Sequence, residues 1–342
     1  MVVDSYSYRS MAVWRPERRK RLDEPLTSDA VFQGLKIGVG WAGSYRMTQA
    51  FARSVGGGAP VAIIAPALNR LDWVCGGSLD LGWVFPAVRA QWAFEGKRSW
   101  EKSPLTNLRA VARFPRVDRQ LFALAPWSPV KDLGQIGREK RPVRLGLRAD
   151  ELYDHEKAIL GQYGYSLADI EAWGGRWWHV GVGATALDEE IKRRDVDLVI
   201  GHASTEGVWQ TVAANGFRFI GLDEKVAAGL EREGYSRNTV PAGFLPCIHE
   251  PLLTIDLSDN LLVTRAEVEE GTIYKIAKSI DQNKKRIEET SVSVSYTYSR
   301  LLPLPFLTYS STLTQAIAKQ WETKIPLHPG AARYYREAGH LV

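Results

Sequence analysis

Gly38-Val39-Gly40-Trp41-Ala42-Gly43 stands where an apolar run, Leu35 to Val39, gives way to a segment with helical spacing, Ser44 to Val55. Glycines at a strand-to-helix joint let the backbone turn sharply and come close to a ligand. The N–H groups at the helix start then favour a carboxylate or phosphate. Ser44 and Tyr45 add hydroxyl donors at the same place. Ser44 can equally serve as an N-cap, and one residue can do both. The spacing imitates the dinucleotide fingerprint, which requires an acidic residue about 20 positions on, at the end of the next strand. Here the next run, Val61 to Ala65, ends in Ala65-Pro66-Ala67-Leu68, and the next acid is Asp72. A nicotinamide cofactor is therefore not expected. A plain glycine turn and an anion cradle of another kind remain, and the cradle, Gly40 to Tyr45, is the preferred reading.

Other residues invite chemistry singly. His202 follows the apolar run Val196 to Gly201, at the end where α/β sheets place ligands. It can bind an anion or carry a proton, or it can be satisfied by nearby backbone. Trp178 and His179, and Cys247 and His249, form looser candidate pairs. Arg148 and Arg176 have the chemistry to clamp a carboxylate, although surface charge is the commoner fate of a single arginine. Cys75 is the candidate nucleophile and needs a base and an electropositive setting to act as one. Its spacing with Leu68 and Leu71 points instead to core packing. No Ser-His-Asp order, carboxylate pair or phosphate loop stands out.

Strand-like and helix-like runs alternate from residue 35 onward, which predicts an α/β fold with largely parallel strands. Strands are expected at 35–39, 61–65, 79–85, 108–114 and 120–124. Helices are expected at 44–55, around Leu68 to Cys75 and from Ala87. Pro126-Trp127-Ser128-Pro129 interrupts the pattern. A second α/β unit follows, with strands at 143–147, 177–180, 196–200 and 217–221 and helices at 154–163, 184–194 and 206–215. Val240-Pro241-Ala242-Gly243-Phe244-Leu245-Pro246 is a second break, followed by a strand at 252–257 and a helix at 267–280. Ser291 to Tyr298 alternates with period two. Two breaks around a complete unit predict two lobes joined by two crossings, with a ligand cleft between them. The expected division is a polar extension over 1–30, a first lobe from 31–127 and 241–342, and a second lobe over 128–240.

The 342 residues are 45% hydrophobic and 24% charged, as for an ordinary globular chain, with a net charge of +5. The one dense basic run, Arg15 to Arg21, reads as a solvated tail. Without an aromatic-basic stripe elsewhere, no nucleic acid partner is expected. Two cysteines and no Cys/His cluster give no metal site. No stretch approaches the roughly 18 apolar residues of a membrane span. Met1 to Leu22 is charged and lacks the apolar core of a secretory signal, so a cytoplasmic location is expected. Twelve tryptophans are many, and several can line an aromatic pocket.

The run Ile325-Pro326-Leu327-His328-Pro329-Gly330-Ala331-Ala332-Arg333-Tyr334-Tyr335-Arg336-Glu337-Ala338-Gly339 resembles the ending of the TAXI family, the substrate-binding subunits of TRAP-type transporters. Gly43-Ser44-Tyr45, Pro129-Val130-Lys131-Asp132-Leu133 and Val240-Pro241-Ala242-Gly243-Phe244 agree with it, over residues 33 to 340. The resemblance implies a two-lobed periplasmic-binding-protein-like fold of type II, a small organic anion held between the lobes, and TRAP membrane subunits as partners. Where that family often carries a polar triplet after its third strand, Phe85-Pro86-Ala87 stands here. Arg148-Ala149-Asp150-Glu151 replaces a glycine-serine turn. The expected pocket is thus more aromatic: Gly40, Trp41, Ala42, Gly43, Ser44, Tyr45, Phe85, Arg148, Trp178 and His202 line it, and the ligand is an aromatic or hydrophobic carboxylate. No cofactor is expected. The alternative is a cytoplasmic enzyme on the same fold, a decarboxylase, desulfinase or lyase of an aromatic acid, with His202 and Cys75 as its catalytic candidates.

Overall fold

The short apolar runs of the chain become strands of two separate five-stranded sheets. The computed structural model describes residues 34–39, 61–64, 67–114, 118–148, 154–180, 184–203, 206–257, 260–282 and 325–341. The N-terminal extension, the cradle Gly40 to Tyr45, the helix expected over 44–55 and the alternating run Ser291 to Tyr298 lie outside the described residues.

The first sheet contains β1 (Lys36–Val39), β2 (Val61–Ile64), β3 (Leu81–Val84), β4 (Leu108–Phe114) and β12 (Asn260–Arg265), in the order β2-β1-β3-β12-β4. The second contains β5 (Gln120–Leu124), β6 (Arg144–Arg148), β7 (Arg176–His179), β8 (Leu198–His202) and β9 (Arg218–Ile220), in the order β7-β6-β8-β5-β9. β1, β2 and β3 are parallel, as are β6, β7 and β8. β12 runs antiparallel to β3 and β4, and β5 runs antiparallel to β8 and β9. β4 and β9 therefore run with the parallel strands, so each sheet is largely parallel, as expected, with one antiparallel strand, β12 or β5. The antiparallel strands are the ones that enter each sheet straight from a crossing, without the helix that a parallel connection requires.

The first crossing also lies earlier than Pro126-Pro129. β5 pairs with β8 and β9, so the chain has already entered the second lobe by Gln120. It returns through a two-stranded ribbon, β10 (Ser236–Val240) with β11 (Leu252–Asp256). The two crossings lie side by side: Arg119 bridges Asp256 in antiparallel register, and the Leu257 N–H donates to the Asp118 carbonyl at 3.0 Å. This double strand is where a relative rotation of the lobes must be absorbed.

Helix α1 (Ala67–Cys75) lies on the first sheet. It approaches so closely that a Cβ at Gly38 would come within 2.8 Å of its Arg70 side chain, and Leu79 beyond the helix would be closer still, at 2.5 Å. Helix α2 (Val88–Glu95) belongs to the first lobe, and in the second Asp132 caps α3, Leu133–Glu139, by accepting from the Gln135 N–H at 2.7 Å. The largest hydrophobic cluster takes side chains from both lobes, among them Trp92, Ala93 and Leu108 from one and Leu145, Ile159 and Leu230 from the other. No helix among the described residues is long and apolar enough to cross a membrane.

Candidate functional site

The lobes meet where the C-terminal ends of β3 and β8 face the start of a helix that follows β6. From the first lobe come Phe85, joined to Pro86 by a cis peptide bond, and helix α2 (Val88–Glu95). The buried face of α2 carries Arg89, Ala90, Trp92 and Ala93. From the second lobe come α4 (Asp154–Gln162) and His202 at the end of β8.

A guanidinium on a buried helix face needs polar company. Arg89 donates from Nη1 to the Phe85 carbonyl at 3.2 Å, and its Nε lies 3.6 Å from Oδ2 of Asp154, across the cleft. Both side chains are almost inaccessible, 4% and 8% exposed, so the pair is screened little by solvent. Next along α4, His155 and Glu156 are fully buried. Nδ1 of His155 lies 3.1 Å from the Tyr235 hydroxyl, and Glu156 accepts from Nε2 of Gln120 at 3.0 Å. Burial, the largest cause, holds the Tyr235 phenol protonated far above its ordinary range, with Asp154 adding to the effect.

His202 ties the cluster together. Its ring stacks at a tilt on Phe85, with centroids 5.4 Å apart, and meets His155 edge-on at 5.8 Å. Its Nδ1 lies 3.6 Å from Oδ2 of Asp118, a buried residue of the first crossing. Its carbonyl accepts from the Trp209 indole at 2.7 Å. Trp92 closes the far side, 6.0 Å from His155 and 5.2 Å from Tyr235. Beneath Arg89, a small recess is lined by Arg70, Leu71, Trp83, Val84, Phe85 and Arg89. Arg70 donates there to the Trp83 carbonyl at 2.6 Å. Trp83 gives the recess its carbonyl, while its indole packs in the separate core with Val111, Leu262 and Tyr335.

The structure brings two of the sequence candidates, Phe85 and His202, into contact. Gly40, Trp41, Ala42, Gly43, Ser44 and Tyr45 lie outside the described residues. Arg148 ends β6 and pairs in register with Gly201 through its backbone. Trp178 sits on the edge strand β7, under the Arg176 guanidinium at 4.7 Å, and packs against the core of the second lobe. Cys75 ends α1, where its carbonyl accepts from Asn107 at 3.1 Å. Burial, with Asp72 and Glu267 adding, pushes its thiol up to about 12. A thiol so held stays protonated at neutral pH, which suits packing and not nucleophilic attack. Cys247 and His249 lie in the connection between β10 and β11, and Arg176 pairs with Asp195.

Sequence reasoning missed Arg89, Asp118, Asp154, His155, Glu156 and Tyr235. The Asp-His-Glu triplet was visible as a helix start, where carboxylates usually face solvent and favour the helix dipole. Arg89 and Trp92 of the opposite lobe, with Gln120, His202 and Tyr235, bury it. Among the described residues no group of three His, Cys, Asp or Glu side chains is arranged to hold a metal ion.

The chain matches the NMT1-like family over residues 61–339. Among solved structures it is similar to the alkanesulfonate-binding protein SsuA from Xanthomonas axonopodis pv. citri bound to MOPS, at 12% identity over 90% of this chain and 98% of that one, TM-score 0.42. It is also similar to the glycine/betaine/L-proline-binding protein ProX from Borrelia burgdorferi, at 13% identity over 81% and 99%, TM-score 0.44. A protein from Bordetella bronchiseptica RB50 is similar at 13% identity over 90% and 99%, TM-score 0.47.

Proposed function

The chain belongs to the NMT1-like family, of periplasmic-binding-protein-like solute-binding proteins, and from that premise we propose that it binds a small aromatic or hydrophobic carboxylate between its lobes. The observation that carries the ligand class is the pair of buried guanidinium groups, Arg70 and Arg89, close to Phe85 where the lobes meet. The guanidinium groups supply fork-shaped donors for a carboxylate, and Phe85 supplies an apolar wall. The glycine run Gly40 to Tyr45, which follows β1 in the sequence, is proposed as a second set of donors.

The finer placement is a TAXI-type subunit serving TRAP membrane partners. It is supported by the C-terminal motif. His328 caps helix α10 (Pro329–Glu337), and Gly330 lets that helix lie directly on the backbone of a neighbouring helix. Thermal shift and calorimetry against a panel of aromatic monocarboxylates and their neutral amides test the ligand class. Acids are expected to bind and amides to bind at least tenfold less well, about 1.4 kcal/mol. Arg89→Gln is expected to remove that preference. Equal binding of acids and amides overturns the assignment.

One observation favours a second reading, a cytoplasmic enzyme on the same scaffold: His202, beside Asp118 and His155, has the company of a group that moves a proton. A general acid or base contributes roughly 10²–10⁴-fold. His202→Asn is then expected to spare binding and cut turnover by about that factor. Incubating the protein with every acid that binds, followed by mass spectrometry, decides: recovery of all of them unchanged removes the enzyme. Cell fractionation separates the readings independently, since a TRAP partner requires the exported chain.

A further inference from the structure

We propose that the pole of the second lobe farthest from the cleft is a docking surface for a partner protein that presents carboxylates. The proposal is independent of the ligand class above, because no residue of the cleft takes part in it.

The sheet order places the charges. His202 ends β8 at the cleft, so the amino ends of β6, β7 and β8, and of β9 which runs with them, lie at the opposite pole. There Arg176 opens β7, its Cα partner Arg144 opens β6, and Arg218 opens β9. Arg193 and Arg194 stand in the turn before β8, and Lys140 stands in the turn before β6. The carboxylates of this row do not balance it. Asp197 is buried and takes two sides of the Arg144 guanidinium, at 2.8 and 2.6 Å. Asp195 is shared by Arg193 at 3.4 Å, Arg144 at 3.5 Å and Arg176 at 3.9 Å. Glu190, also beside Arg176 and Arg193, bonds to Trp178, and burial favours its neutral form. The exposed pairs Arg138 with Asp132, Arg141 with Glu139 and Lys192 with Glu189 add no net charge. Arg176, Arg193, Arg194, Arg218 and Lys140 are all exposed, and they leave the pole positive.

Two further observations go beyond surplus charge. The first is in the backbone. Gly174 and Gly216 take the left-handed conformation in the turns before β7 and β9, at φ 88° and 72°. The turns before β6 and β8 hold Lys140 and Arg194 in that conformation instead, at φ 49° and 56°. A side chain there costs stability that glycine does not. These two turns thus keep long cations where the fold alone favours glycine, and strain kept in this way points to a role outside folding. The second is in the side chains. The Arg194 guanidinium lies over Trp127 at 5.7 Å, and that indole is fixed by donating to the Val196 carbonyl at 2.9 Å. Arg176 lies over Trp178 at 4.7 Å, and Arg218 donates to the Lys131 carbonyl at 2.6 Å. Guanidinium groups placed in advance lose little freedom on meeting a carboxylate.

That rigidity decides the partner. Arginine beside tryptophan is the composition of protein interfaces. A lipid surface reads summed charge and gains nothing from a fixed guanidinium. A nucleic acid brings a continuous line of phosphates, which would meet Asp195 and Glu139 as well as the cations. A protein face can set its carboxylates between them.

The probe is a fluorescein-labelled decaglutamate peptide, followed by anisotropy with the full-length chain. It is expected to bind, and to weaken as salt is raised. Arg193→Gln with Arg218→Gln is expected to bind it at least tenfold less well. Lys140→Gly with Arg194→Gly is expected to lose the same factor while melting no lower than the unaltered chain, which a purely structural role for these cations would not give. Zero-length carbodiimide coupling, read by mass spectrometry, is expected to join the peptide to Lys131 and Lys140. Unchanged affinity in both variants, or coupling confined to lysines elsewhere, overturns the proposal. Loss of peptide binding only on Arg18→Gln with Arg19→Gln overturns it too, because the peptide then reads the N-terminal basic run. Phosphatidylglycerol vesicles and a single-stranded oligonucleotide are tested alongside. If the pole variants lose either of these and keep the peptide, the surface serves lipid or nucleic acid and the proposal falls.

Discussion

Cys75 shows how environment decides a residue's role. The thiol has the chemistry of a nucleophile, but it ends a helix packed on the main core, beside two carboxylates that oppose its ionisation. Its folded-state value is raised to about 12 from 9.0, so the folded chain keeps a proton that the unfolded chain loses. The unfolded state then binds fewer protons, and stability falls as pH rises from about 9 to about 12. Cys75→Ala is expected to make that alkaline decline shallower in urea titrations run at pH 8, 10 and 11. The unaltered chain is also expected to resist iodoacetamide at pH 8 until it is unfolded, read by intact mass. Rapid alkylation of Cys75 in the folded chain would restore the nucleophile. His202 gives the opposite lesson. The sequence marks it only by its place after an apolar run, and the structure gives it a carboxylate, a second imidazole and a phenyl ring as neighbours.

At the scale of elements, the C-terminal motif acquires a physical meaning. His328 precedes helix α10 and accepts the Gly330 N–H on Nδ1 at 3.2 Å, while Nε2 faces the Val268 carbonyl at 3.0 Å. One nitrogen must accept and the other donate, so the ring is neutral with its proton on Nε2. Burial lowers its pKa from the ordinary 6.5, in keeping with that requirement. Below pH 6.5 the unfolded chain takes up a proton that the folded chain refuses, so this contribution is complete above 6.5 and is lost as pH falls. His328→Asn is expected to flatten the acid limb of the stability profile, and His328→Ala to cost about 1 kcal/mol as a lost cap. Gly330 is the partner requirement. A methyl group there would overlap the Glu270 carbonyl and the Tyr274 amide of helix α9 (Glu270–Gln282), so Gly330→Ala must push α10 off α9. Periodicity revealed β4 and β5 with their observed limits and most of the parallel strands within two residues. It missed α3, the helix Glu224–Arg232, β10 and β12. β10, Ser-Arg-Asn-Thr-Val, has little apolar content because four of its five residues are not buried, and only its partner β11 makes it a strand. The inter-lobe cluster was illegible for a related reason: burial of Arg89 and Asp154 is a property of two helices from different lobes, more than sixty residues apart in the chain.

At the scale of the molecule, the question is whether the lobes behave as one body or two. Two sheets joined by two crossings would ordinarily permit separate unfolding. The largest hydrophobic cluster argues for coupling, since it takes side chains from both. Trp92 is its clearest bridge. The side chain is fully buried on α2 of the first lobe, and its ring meets His155 and Tyr235 of the second. Its indole N–H donates to the Glu233 carbonyl at 3.3 Å, beside the ion pair between Arg98 and Glu233. Removing it takes away a large buried surface and leaves a cavity at the junction, a loss of about 3–5 kcal/mol. In a core confined to one lobe, such a loss would lower a single transition. At a junction it also removes what makes the lobes unfold together. Trp92→Ala is therefore expected to split the calorimetric transition into two, the lower one responding to benzoate because the ligand supplies a replacement contact between lobes. A single sharp transition at lower temperature would show that the lobes are coupled by the paired crossings at Arg119 and Asp256 and not through Trp92.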